Sequence, residues 1–508
     1  MPGTAIPSHP VLSAEQVRVL ENGLFGGDER REWKAMLLAG RSTAEAVARD
    51  FGEIGGIPAA ARVLVLAGKG NNAGDALIAA REILSQFPKA SCDVLFAFGS
   101  RRLRPAAARA WRGLSESGRG RVRSAGSDGL SPGYDLCLDG IFGYQFRPPL
   151  PPEALAAIAA AAACEVRFRA AVDLPSGLSE KGAFVADFTY ATGAVKSPLL
   201  GCANAGRPRY LDLGFFQDGQ GGAAGNGAGD RVVLSSILRP LAGLRPASSD
   251  KRGQGHLAVV GGSGDFPGAV LMTTLAALRS GVGLVTAFVP ERLAAAYAAR
   301  APEAMWVGLP ESAGGGLAAE GLSRILKRAE RATALAIGPG LGRDPGALAL
   351  AVGIVGAAEI PVVIDADALQ PDIVRAGRVP RILTPHAGEL ERISRGEDLR
   401  KLCLSIPAVV VAKGPVTRIC AGAAEYHCLH GGPVLSRGGS GDLLAGLAGG
   451  LLAQTPKDPM LAACRSAVWH AMAADLLARA HGQAAVDILQ LLDFLAPALR
   501  ESAPCPAS

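Results

Sequence analysis

RVLVLAGKGNNAGDALIAAR, residues 62–81, decides how this chain folds. The run 62–68 is apolar with no polar alternation, which reads as a strand buried on both faces. A glycine-rich turn follows, and then a stretch of helical pattern. Such strand–turn–helix units build parallel sheets covered by helices. The same alternation recurs outward along the chain. Residues 92–98, 134–140 and 168–177 read as further strands before the midpoint. Residues 256–262, 283–289, 334–340, 361–367, 381–386 and 408–414 repeat the pattern after it. The fold class expected is α/β, with two domains that are each a mainly parallel sheet flanked by helices.

The bulk numbers agree with that reading. A chain of 508 residues exceeds one core, so two or three domains are natural. With 49% hydrophobic and 19% charged residues it is globular and not disordered. The net charge of +6 is spread without a long basic block, and no aromatics interleave with basic residues. Nucleic acid is therefore not an expected partner, and anionic small molecules are. Nine cysteines without a CxxC pair argue against a disulfide framework or a zinc site. The first residues lack a signal-type apolar core, and the run 154–164 is too short and too alanine-rich to span a bilayer. A soluble cytoplasmic protein without a membrane partner is the expectation. Residues 217–230, QDGQGGAAGNGAGD, read as a flexible linker. They divide the chain into domains 1–216 and 231–508.

Ligands in such folds bind at the carboxyl ends of strands, so the residues just past each run carry the functional weight. After the first strand these are Asn71, Asn72 and Asp75, in a turn that is neither GxGxxG nor a P-loop. Asn is also common in turns for local reasons. Asp139 and Asp173 end two further strands. Together these carboxylates and amides can hold a cation by oxygen ligands or move a proton. In the second half the strand ends carry the glycines of 338–342, Asp365, Asp367, His386, Lys413 and finally Asp442. Gly-rich turns, a lysine and a helix start suit a nucleotide's phosphates. His386 reads as structural or functional with similar weight. Asp442 follows Gly438, Gly439 and Gly441 and has three readings: a helix cap, part of an anion site, or a catalytic base. The pentapeptide GGSGD also occupies residues 261–265, so this motif alone does not decide among them.

The order of these motifs resembles the bifunctional NAD(P)H-hydrate repair enzymes over nearly the whole chain. In the second half the resemblance lies in residues 251–269, 275–290, 301–307, 336–342, 362–369, 383–390, 410–417 and 438–454. This half is similar to the ADP-dependent NAD(P)H-hydrate dehydratases, ribokinase-like in fold. In the first half GKGNNAGD, DGIFG, VDLPSG, ADFT and the downstream Lys196 resemble the NAD(P)H-hydrate epimerases, Rossmann-like in fold. The resemblance implies that the first half interconverts the R and S hydrates. It implies that the second phosphorylates the S-hydrate's hydroxyl from ADP and expels phosphate, leaving NAD(P)H and AMP. Mg2+ and K+ are the implied ions, NAD(P)H hydrates and an adenine nucleotide the implied partners, and a homo-oligomer is expected.

Site residues follow from the same resemblance. Asp442 is the implied base on the hydroxyl, and Asp173 the group that moves a proton in the epimerase. Epimerase substrate contacts are Asn71, Asn72, Ala73, Gly74 and Asp75, the segment 143–149 with Gly143 and Arg147, and Asp173, with Asn72, Asp139 and Ser176 about potassium. Dehydratase substrate contacts are Ala269, Gly340 and His386. The nucleotide falls on Lys413, Gly414, Pro415, Val416, Thr417 and Gly441. The chain departs from the family's usual GNNGGDG at Ala73 and Ala76, and residues 36–42, MLLAGRS, lack its Glu-Asn pair. A methyl group at 73 or 76 clashes if the position needs a positive φ or a close ligand. A weak or silent first half, a ribokinase-like vitamin-precursor kinase, and a nucleotide-binding sensor with both sites idle are the alternatives.

Overall fold

A computed structural model of the chain describes residues 4–216 and 229–502. These form two compact units. Residues 9–216 with 478–482 make one, and the remainder make the other. Of the expected linker, residues 217–228 lie outside the described residues, and its last residue, Asp230, opens the strand Asp230–Val233.

In the first unit seven strands form one parallel sheet. Their order is Val122–Ala125, Ser91–Phe96, Arg62–Ala67, Gly133–Gly140, Glu165–Val172, Phe188–Thr192, Arg207–Leu211. The central strand Arg62–Ala67 is buried at every position after Arg62, as its unbroken apolar run requires. The helix Asn71–Gln86 follows it and packs against Glu29–Asp50 and Pro105–Ser117. The strand order reverses direction beside Arg62–Ala67, between its neighbours Ser91–Phe96 and Gly133–Gly140. A crevice at such a switch point is where ligands enter open sheets.

In the second unit the sheet runs Met305–Leu309, Leu284–Pro290, His256–Val260, Ala334–Ile337, Val362–Ile364, Arg381–Leu383, Ala408–Ala412. Those seven are parallel. Thr417–Ala421 then joins Ala408–Ala412 antiparallel, and Ala424–Cys428 pairs antiparallel with it in turn. Asp230–Val233 adds parallel to Ala424–Cys428. The helices Ser440–Gln454 and Pro267–Arg279 lie in backbone contact: a Cβ at Gly446 would stand 2.2 Å from the Thr273 carbonyl oxygen. Eight cysteines fall among the described residues, and all are free thiols. No helix among those residues is long and apolar enough to cross a membrane.

Candidate active sites

In the first unit, Gly68 lets the chain leave the strand Arg62–Ala67. A Cβ there would sit 2.0 Å from the Ile141 carbonyl oxygen, so only glycine permits this crossing. The helix Asn71–Gln86 then begins behind Gly70 without a side-chain cap, leaving its first N–H groups available. Asn72 donates from its amide nitrogen to Phe142 O at 2.8 Å, and Ser176 Oγ accepts from Phe142 N at 2.9 Å. Both oxygens of the fully buried Asp139 are engaged: Ser176 N reaches one at 2.7 Å, and Ser176 Oγ at 2.7 Å and Ile141 N at 3.2 Å reach the other. Burial pushes this carboxyl up to about 6 against those hydrogen bonds. The expected cation set, Asn72, Asp139 and Ser176, is thus gathered around one loop.

Asp173 ends the strand Glu165–Val172 in the left-handed region, φ 67, uncommon for a residue with a side chain. Its carboxylate forms a buried ion pair with Lys196, whose ammonium also donates to Thr192 O at 2.8 Å. The other carboxylate oxygen accepts from Tyr144 N at 2.9 Å. A cavity of about 560 Å3 opens over these groups. Asn71, Asn72, Asp75, Gly143 and Asp173 line it; Ala73, Gly74 and Arg147 do not. Gly74 lies under Met36, whose sulfur would stand 2.4 Å from a Cβ there. Arg147 is exposed and donates to its neighbour Phe146 O. Ala73 and Ala76 have neither positive φ nor exposure, and the Ala76 methyl packs against Gly140. Both alanines are fully buried, and neither lines the cavity.

The cavity also holds Glu21, which the sequence does not single out, and Tyr144, inside the segment 143–149 expected to meet the hydrate. Glu21 comes from the helix Ala14–Phe25, and Tyr144 hydrogen-bonds to it at 2.6 Å. Burial pushes Asp75 well up, aided by Asp173 and Glu21; burial likewise raises Glu21. At the rim stand Lys69, Arg102 and Arg104, with the Lys69 ammonium 4.1 Å from the Phe98 ring centre. Lys69 lies within GKGNNAGD and Tyr144 directly follows DGIFG, whereas Glu21, Arg102 and Arg104 belong to no such motif.

The second unit resolves the duplicated pentapeptide. In its first copy Asp265 is exposed ahead of the helix that Pro267 opens, since proline favours a first helical position. In the second copy Gly439, at φ 92, precedes the helix Ser440–Gln454, and Asp442 lies inside the first turn. The cap is Gly439, with no side-chain hydrogen bond, so Asp442 is not spent on capping. Burial, then the nearby Asp365, push its carboxyl up to about 7, while Lys413 draws it down. Lys413 bonds Asp365 at 3.3 Å and lies 3.9 Å from Glu389. A Cβ at Gly441 would meet the Lys413 ammonium at 3.1 Å, so glycine keeps the helix start open beneath the lysine. Asp365 is buried and accepts from Thr384 Oγ1 at 2.6 Å.

The remaining expected residues surround this point. Gly414, Pro415 and Val416 form the turn between Ala408–Ala412 and Thr417–Ala421. Gly340, at φ 64, abuts Ala269: a Cβ on the glycine would lie 3.1 Å from the alanine's. His386 caps the helix Ala387–Ser394, its Nδ1 accepting from Gly388 N at 3.1 Å and Glu389 N at 3.3 Å. Its side chain is nevertheless 62% exposed, so the cap and a ligand contact are compatible. His470 was not foreseen. It is buried, holds a backbone bond to Ser440, and is pushed down to about 4 by burial and Lys413.

A lysine over an uncapped helix start, with a carboxyl in its first turn, is an arrangement suited to phosphoryl transfer. The cavity of the first unit, lined by both acidic and basic groups, adds a second candidate site. Known proteins resemble the chain. Residues 257–496 match the family model described as NAD(P)H-hydrate dehydratase, and residues 34–197 the one described as YjeF-related protein N-terminus. The bifunctional NAD(P)H-hydrate repair enzyme Nnr of Gloeobacter violaceus is 36% identical, over 96% of this chain and 98% of its own. That of Moorella thermoacetica is 32% identical over 91% of each. An ADP/ATP-dependent NAD(P)H-hydrate dehydratase from Bacillus subtilis, solved with ATP/Mg2+, is 27% identical with a TM-score of 0.46, covering 53% of this chain and 97% of its own. The chain belongs to the family of bifunctional NAD(P)H-hydrate repair enzymes.

Proposed function

We infer that this protein restores hydrated NAD(P)H. The first unit interconverts the R and S hydrates, and the second dehydrates the S-hydrate with ADP to give NAD(P)H, AMP and phosphate. The observation that carries the reading is Asp442 in the first turn of an uncapped helix below Lys413, with its carboxyl near 7. A base of that strength is matched to neutral pH.

Asp442 takes the proton of the hydrate's hydroxyl, whose oxygen attacks the β-phosphorus of ADP as AMP departs. The first N–H groups of the helix Ser440–Gln454 and the Lys413 ammonium stabilise charge on the transferring group. Phosphate then leaves as the ring nitrogen's lone pair forms an iminium, and loss of a proton from the adjacent ring carbon to a base regains the dihydronicotinamide. Gly340, Ala269 and His386 hold the hydrate, and residues 413–417 with Gly441 hold the nucleotide. Asp365 and Glu389 offer the oxygen donors that suit Mg2+, which when bound neutralises the phosphates.

In the first unit Asp173, oriented by Lys196, moves a proton, while Asn71, Asn72, Asp75 and Gly143 contact the hydrate. Asn72, Asp139 and Ser176 would hold K+. The donors are all oxygens, and the three bonds Asp139 accepts leave lone-pair capacity on its carboxylate. Incubation with chemically hydrated NADH and ADP tests the whole reading. Recovery of the reduced-nicotinamide absorbance supports it; a stable phosphorylated product and no recovery would indicate a true kinase.

A further inference from the structure

Inverting the hydrate's hydroxyl-bearing carbon needs two proton-handling groups. That carbon is bonded to the ring nitrogen. Its C–O bond breaks as the hydroxyl takes a proton and leaves as water, while the nitrogen lone pair becomes the C=N bond of an iminium. Water then adds to the other face, the C=N pair returns to nitrogen, and the surplus proton passes to a base. No oxidant or reductant enters. Asp173, ion-paired to Lys196, suits the accepting role, which leaves the donor to be found.

We propose that Tyr144 and Glu21 are the proton-donating pair of the epimerase half, set across the cavity lining from Asp173; this rests on the epimerase reading above. Tyr144 links both sides of the reaction. Its main-chain N–H donates to Asp173 at 2.9 Å, and its phenol hydrogen-bonds to Glu21 at 2.6 Å. One tyrosine side chain thus separates the accepting carboxylate from the Glu21 carboxyl.

Both residues line the 560 Å3 cavity, and both also line a second one of about 210 Å3 beside Arg18, Asn22 and Glu32. Asn71, Asp75, Gln145 and Thr192 line both as well, so the two cavities adjoin at the pair. A proton given to substrate on one side can be replaced from water on the other. The charged groups acting on Glu21 are Lys196, Asp173 and Glu32, and Asp75 feels Glu21 in turn. Burial keeps Glu21 protonated to higher pH than an ordinary glutamate, and burial with Glu21's hydrogen bond does the same for the Tyr144 phenol.

The test is epimerisation by the full-length protein without ADP, followed by chromatography from an epimer-enriched hydrate across pH. Glu21→Gln should slow interconversion about a hundredfold and erase the fall in rate at alkaline pH. Glu21→Asp should restore part of both. Tyr144→Phe, which breaks the bond but keeps the carboxyl, should give an intermediate loss, and it carries the test should Glu21→Gln fail to fold. A wild-type rate and profile in Glu21→Gln, or loss of the alkaline fall in Asp75→Asn alone, overturns the pair's role. If the wild-type protein does not interconvert the epimers, the epimerase reading itself fails and the proposal with it.

Discussion

Asp442 is poised by competing influences on one carboxyl. Burial and Asp365 raise it, and Lys413 lowers it, leaving it at about 7. The ionised form is the base, so dehydration should rise with pH through that value. Asp442→Asn should slow dehydration by roughly a hundredfold or more, measured by absorbance recovery at saturating ADP. Because Asp365 raises the carboxyl, Asp365→Asn should move the acid limb of the rate profile to lower pH; an unmoved limb would assign it to another group. Stability follows the same linkage. A carboxyl raised in the folded state from its ordinary 3.8 to about 7 contributes stability below pH 3.8, which is lost as pH rises toward 7. Asp442→Asn should therefore raise the Tm relative to wild type above pH 7 and leave it near wild type at pH 4.

At the scale of elements, the helix–helix contact in the second unit depends on hydrogen atoms standing where side chains would not fit. Gly446→Val would drive a Cβ toward the Thr273 carbonyl and the Ala276 methyl. Overpacking of this kind should cost about 1–3 kcal/mol, read as a drop in Tm and in denaturation midpoint. The long apolar strands were legible because burial on both faces leaves an unbroken hydrophobic run, as at Arg62–Ala67. Val122–Ala125 escaped notice because two of its four residues are exposed, and Arg207–Leu211 because arginines and a proline interrupt it. The hairpin Thr417–Cys428 escaped because its strands mix polar and apolar residues. Much of the site was legible too, since Asp139, Asp173, Asp365 and Lys413 stand at or just beyond strand ends and Asp442 follows a glycine-rich turn. Glu21 and His470 were not, because their placement depends on distant segments that meet only after folding. The concern over Ala73 and Ala76 dissolves for a related reason: the sequence does not tell that both alanines are buried and line no part of the cavity.

Across the whole molecule, each unit has its own core and its own reaction. A mixture of hydrates should be repaired in one smooth recovery when both sites act. With Asp173→Asn the recovery should become biphasic. The S-hydrate should be consumed at the wild-type rate, and the rest only as fast as residual epimerisation supplies it, roughly a hundredfold slower. A single phase in that variant would show that Asp173 does not limit the exchange.

The repeated GGSGD shows that identical letters can be put to different uses by what comes next. Phe266 and Pro267 delay the helix after the first copy, so Asp265 stays outside it, whereas Leu443 and Leu444 let the second coil begin early enough to enclose Asp442. Writing Phe-Pro in place of that leucine pair should expel the acid from its turn and silence the enzyme with every ligand-holding residue untouched. Anyone hunting this motif in other genomes should read two letters past its end.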